Sequence, residues 1–149
     1  LPLEAQMVMA PSIKRPPAKE SGVRVTLGQD EPGCKDSALM PRIAGCTIIQ
    51  CDLKDDEALE FQTAVSKTGE PLHDAVEGQA EILFYLCPGS LGTNGIMKST
   101  VESLGRNSFR TIFNGKDEAD FPIVTAWKDR QWIQVSTYSY FEDVVYVQS

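Results

Sequence analysis

One stretch of this chain, Leu91 to Leu104, carries its apolar residues at helical spacing. Ile96, Met97, Val101 and Leu104 stand at i, i+1, i+5 and i+8, a single stripe, with Thr93 or Asn94 as N-cap and Gly105 as a left-handed stop. Elsewhere beyond Gly33 the apolar residues alternate or run together over a few positions, the patterns of strands.

Before the helix, strands are expected at Ile43 to Leu53 and Ala80 to Cys87, the latter being the strongest by β propensity, with Phe61 to Val65 between them as a short second strand or a loop. Ile48 faces one side of the first strand, and Ile49 with Cys51 the other. The acidic stretch 54–60 reads as a solvated turn, and Thr68 to Pro71 as a loop. After the helix come Phe109 to Phe113, Ile123 to Trp127, Trp132 to Tyr138 and Val144 to Val147, with turns at Asn114-Gly115 and around Asp129-Arg130. The order is β-β-β-α-β-β-β-β. Strands on both sides of one helix indicate an α+β fold, a mostly antiparallel sheet with one main helix packed on one face.

Residues 1–32 contain Pro2, Pro11, Pro16, Pro17 and Pro32 and little periodicity, the composition of an arm or linker, with Val23 to Leu27 alternating like an edge strand. Residues 33–149 form a single α+β domain, in keeping with a length of 149 residues. Lys and Arg total 14 against 21 Asp and Glu, a formal net charge of -7, which disfavours nucleic acid and anionic membrane surfaces as partners. No apolar run is long enough to span a membrane.

Several chemistries lack their residues. His73 is the one histidine, expected in a loop, so acyl transfer through a Ser-His or Cys-His pair and catalytic zinc are disfavoured. No Gly-x-Ser-x-Gly elbow is present, and Gly89 to Gly95 lacks the Gly-Lys-Ser/Thr ending of a phosphate loop. The acidic clusters Asp55-Asp56-Glu57 and Asp117-Glu118-Asp120 fall where turns are expected and do not match a calcium loop. No catalytic residue, metal ligand or cofactor is assigned.

Cys34, Cys46, Cys51 and Cys87 are spaced by 12, 5 and 36, unlike paired C-x-x-C zinc ligands. Two disulfides and four buried thiols both fit these spacings. Cys46 and Cys51 are at an odd offset, on opposite faces of a regular strand, so they do not pair with each other; any partners are Cys34 and Cys87. Asp36 and Arg42 make either a ligand-binding pair or an ion pair that pins the entry of the chain into the sheet, the second being the simpler reading. Trp127, Trp132 and Tyr138, with Tyr140, Phe141 and Tyr146, make the last strands aromatic, by cross-strand packing or as a face on which a carbohydrate stacks.

The run Gly33-Cys34-Lys35-Asp36-Ser37-Ala38-Leu39-Met40-Pro41-Arg42-Ile43-Ala44-Gly45-Cys46-Thr47-Ile48 resembles the Gly-Ser-Lys-Asp-x-Pro-Leu-x-x-Arg-x-x-Gly-x-x-Ile opening of a bacterial envelope domain of unknown function. That domain is often found ahead of an OmpA-like peptidoglycan-binding domain. Gly78 to Leu86 is similar to its Gly-x-x-x-x-Ile-x-Tyr strand, and Leu104-Gly105 followed by Phe109 to its helix end and restart. Ala38 replaces the usual Pro, and Cys34 the usual Ser. The resemblance implies export to the periplasm or cell surface, and with it disulfides; it brings no catalytic residues, and the anchoring role of the OmpA-like domain does not transfer.

The leading expectation is therefore an exported, non-catalytic module that binds a cell-envelope component: a glycan, a peptide or an envelope protein. The alternatives are a carboxylate-dependent glycan hydrolase, which needs two carboxylates converging in a cleft, and a structural or oligomerising domain.

Overall fold

A computed structural model describes residues 29–140 and 143–148, with side chains as far as Thr137. Val23 to Leu27 lies outside the described residues, as does the side chain of Tyr138. The elements are β1 (Thr47–Val65), β2 (Pro71–Cys87), a 3-10 turn (Gly89–Leu91), α1 (Gly92–Arg106), β3 (Arg110–Lys116), β4 (Pro122–Lys128), β5 (Gln131–Tyr140) and β6 (Asp143–Gln148). They form one six-stranded sheet in the order β1-β2-β6-β5-β4-β3, every neighbouring pair antiparallel. The α+β class is as the sequence indicates.

Before the helix there are two long strands rather than three short ones. The acidic stretch expected as a turn lies inside β1, because a register shift between Lys54 and Glu57 leaves Asp55 and Asp56 outside the pairing with β2. A bulge absorbs two charges on an edge strand without ending it, and those charges discourage another edge from pairing there. His73 likewise sits in β2, opposite Gln62, and is exposed rather than in a loop. A second shift, between Ile48 and Gln50, turns Cys51 back to the side of Ile48: Ile48 lies opposite Tyr85 and Cys51 opposite Leu83, so the opposite-face assignment does not hold.

Two further boundaries move for identifiable reasons. Asn114-Gly115 belongs to β3, and the turn comes later because Asp117 builds it: its Oδ1 accepts the N–H groups of Ala119 (2.9 Å) and Phe121 (3.0 Å). The helix begins from the 3-10 turn with Leu91 as N-cap and no side-chain cap. It ends not at Gly105 but in a Schellman motif around left-handed Ser108 (φ 67°): Ser108 N–H donates to Gly105 O and Phe109 N–H to Leu104 O. Leu104 and Phe109 meet in the core, the apolar contact that accompanies this ending.

One face of the sheet has two covers. Ile96, Met97 and Leu104 of α1 pack over Val124 and Ala126 of β4 and Ile133 and Val135 of β5. Over the other end, Leu39 and Met40 of the entering chain close on Ile48, Leu83 and Tyr85. Fully burying such side chains contributes ~1.5–3 kcal/mol each before the entropy of ordering them is set against it. The opposite face is covered by the far half of β1, which curls back across the sheet: the Phe61 ring lies 5.5 Å from that of Trp132, and Gln62 Nε2 donates to Lys116 O of β3 at 3.0 Å. The two edge strands thus approach each other, and the sheet is nearly closed on itself.

Candidate functional site

The entry segment is a clasp organised by Arg42. Its Nη1 and Nη2 donate to both carboxylate oxygens of Asp30 (2.7 and 2.8 Å), its Nε donates to Asp36 (3.0 Å), and Nη1 also reaches Cys46 O (3.2 Å). The guanidinium carbon stands 5.6 Å from the centre of the Tyr85 ring, whose hydroxyl donates to Asp36 at 2.6 Å. Asp30 Oδ1 accepts Ile48 N–H, and Glu31 N–H donates to Ile48 O. The hydrogen bond from Arg42 holds the Asp30 carboxyl below its ordinary range, and Asp30, more than Asp36, raises the guanidinium further above its own. Asp36 and Arg42 do form an ion pair, and the donors of Arg42 are shared among Asp30, Asp36 and Cys46 O, so the pair ties the entering segment to the start of β1. Asp30 was the unforeseen member, because nothing local marks an aspartate 12 residues away as a partner.

Two disulfides tie the same segment down, Cys34 to Cys51 and Cys46 to Cys87. Cys46 and Cys51 do not pair, as expected, but not because they face opposite sides: the bulge at Ile49 turns Cys51 back to the side of Ile48, and each cysteine is instead taken by a partner outside β1, Cys46 by Cys87 of β2 and Cys51 by Cys34 of the entering chain. Closing loops of 17 and 41 residues in the unfolded chain contributes about 3 and about 4 kcal/mol on a chain-entropy estimate. The loops overlap, so these contributions are not independent. Disulfides persist in oxidising compartments, and this pair fits one.

On the face opposite α1, register builds a row of side chains. Arg110 of β3 is opposite Trp127 of β4, and Trp127 is opposite Trp132 of β5. Directly opposed residues share a face, so the three stand side by side across adjacent strands. Trp132 is half-buried, packed on the cluster of Leu59, Phe61 and Ala80, whereas Trp127 is 38% exposed. The structure therefore unites two of the three aromatic residues singled out in the sequence. Arg110, the third member of the row, was missed; the alternation Arg110-Thr111-Ile112 gives no sign that its partner is Trp127.

The remaining candidates do not converge. Two shallow clefts of about 160 and about 230 Å³ flank Leu53, which is 66% exposed. Both are below the usual size of a small-molecule site. Asp52 and Glu81 border the smaller one, but Asp52 is opposite Ile82 and Glu81 opposite Leu53, so the two carboxylates point to opposite faces of the ribbon. Among the described residues, Asp117 is the one carboxyl with a raised pKa, from desolvation, and its Oδ1 already serves the β3–β4 turn. Among the same residues, no three His, Cys, Asp or Glu side chains are grouped to hold a metal ion, and no helix is long and apolar enough to cross a membrane.

No protein family of known sequence pattern matches this chain, and no curated protein is significantly similar to it.

Proposed function

We propose that this chain is an exported, non-catalytic module that binds a component of the bacterial cell envelope through the Arg110–Trp127–Trp132 row. The observation that supports it most is the contrast within the aromatic pair: Trp132 is packed against Phe61, while Trp127 keeps 38% of its surface exposed beside it. A large, stiff aromatic side chain that keeps this much surface exposed beside a packed neighbour costs little entropy to order against a ligand and offers apolar contact. The two disulfides favour an oxidising location, and the resemblance of Gly33 to Ile48 to an envelope domain narrows that location to the periplasm or the cell surface.

The test is co-sedimentation of the oxidised protein with isolated bacterial envelope fractions. Wild type sediments with them, and Trp127→Ala does not, although its circular dichroism is unchanged. Equal sedimentation of the two proteins, or none of either, rejects the proposal.

A further inference from the structure

We infer that the row takes an acidic saccharide, a sugar ring stacked on Trp127 whose carboxylate pairs with Arg110; this rests on the binding function proposed above. The charge at this corner is against the trend of the chain. In a protein of net charge -7, Arg110 is exposed and makes no ion pair among the described residues. The neighbouring cation is already engaged, since Lys128 Nζ donates to Asn107 O at 3.0 Å and lies 5.5 Å from the centre of the Phe109 ring. In the turn beyond it, Asp129 and the exposed Arg130 carry one charge of each sign. Among the described residues, Arg110 is thus the free cation of the row.

Position selects the ligand. Neighbouring strands are ~4.8 Å apart, so the guanidinium of Arg110 comes within reach of a substituent on a ring lying flat on Trp127. A sugar presents an apolar C–H face to an indole, and a guanidinium binds a carboxylate through two parallel hydrogen bonds. A neutral sugar would use the Trp and leave the Arg idle. A peptide adding to the edge of β3 is disfavoured, because the register shift between Thr111 and Phe113 breaks the run of free backbone groups such a peptide would need.

The experiment titrates the oxidised protein with trigalacturonate, with a neutral galactose trisaccharide and with a tri-glutamate peptide, read by tryptophan fluorescence and calorimetry, alongside envelope co-sedimentation. Trigalacturonate is expected to bind roughly tenfold or more tightly than the neutral trisaccharide, the worth of one charge-assisted contact, and tri-glutamate only weakly. Arg110→Gln should remove the preference, bringing trigalacturonate down to the affinity of the neutral trisaccharide, and Trp127→Ala should remove binding of both sugars. Equal affinity for the two trisaccharides, equal affinity for tri-glutamate, or no binding of trigalacturonate overturns the inference. If envelope co-sedimentation nevertheless remains sensitive to Trp127→Ala, the binding function stands and only the ligand class falls.

Discussion

Gln134 holds Gln62 from 72 positions away in sequence, its Oε1 accepting the Gln62 backbone N–H at 2.8 Å. The same oxygen accepts the Thr125 hydroxyl at 3.0 Å, and all three residues are buried. One acceptor thus fixes where the curled end of β1 lands on β4 and β5.

Replacing Gln134 with leucine, similar in volume, removes that acceptor and leaves a buried N–H and a buried hydroxyl unpaired. Each such orphan costs about 1–3 kcal/mol, so Gln134→Leu should lower stability by roughly 2–4 kcal/mol in urea denaturation. Adding Thr125→Val to Gln134→Leu should recover part of the loss, since the second substitution removes one orphan. A neutral effect of Gln134→Leu would mean that the end of β1 is held by the packing of Phe61 and by the bond from Gln62 Nε2 to Lys116 O instead.

The Arg42 clasp predicts a dependence on acid. Asp30 is depressed in the folded state, so its contribution is present above the ordinary carboxylate value of 3.8 and is lost as pH falls through the lower, folded value. Its side chain is 45% exposed, which screens the pair and keeps the contribution modest. Arg42→Met should cost about 1–3 kcal/mol at pH 7, and the gap from wild type should narrow at pH 3. A gap of the same size at both values would assign the loss to packing on Tyr85 instead.

Asp117 carries the opposite sign. Its carboxyl is raised by desolvation, so ionisation near neutrality favours the unfolded state; the penalty fades as pH falls through the raised, folded value and is gone below 3.8. Asp117→Asn keeps an oxygen for Ala119 and Phe121 without the charge. It should be neutral or stabilising by under ~0.5 kcal/mol at pH 7, and any advantage should vanish at pH 3; a loss at pH 7 would show that the turn needs the anion.

The disulfides differ in access. Cys34 and Cys51 are half-buried, whereas Cys46 and Cys87 are 5% and 0% exposed. Native protein titrated with a dithiol reductant, then alkylated and mapped by mass, should first release Cys34 and Cys51. Replacing Cys46 and Cys87 together should cost about 2–5 kcal/mol. Release of the buried pair first would mean that the entry segment opens before its outer bridge is attacked.

The class of the fold was legible because a single helical stripe among alternating runs leaves few arrangements, and the strands after the helix were found with small shifts. The early half was not, because bulges at Ile49 and between Lys54 and Glu57 change which residues face the core without any turn residue to announce them. Asn114-Gly115 misled for the converse reason: a strong hairpin dipeptide lost to a nearby aspartate, Asp117, that could anchor two N–H groups. For the site, Trp127 and Trp132 were legible by type, but the row needed the register, which depends on pairings a local pattern does not contain.

The place of β6 has a consequence for the order of events in the cell. It is the last of the six strands to be synthesised, yet it lies between β2 and β5, pairing with Leu83–Cys87 on one side and with β5 on the other. Without residues 143–148 the β1–β2 ribbon and the β3–β5 meander share no strand pairing and meet only where the curled end of β1, with Phe61 and Gln62, reaches Trp132, Gln134 and Lys116. β6 is therefore the keystone by which two locally paired pieces become a single sheet, so the closure of the fold waits on the strand that is made last.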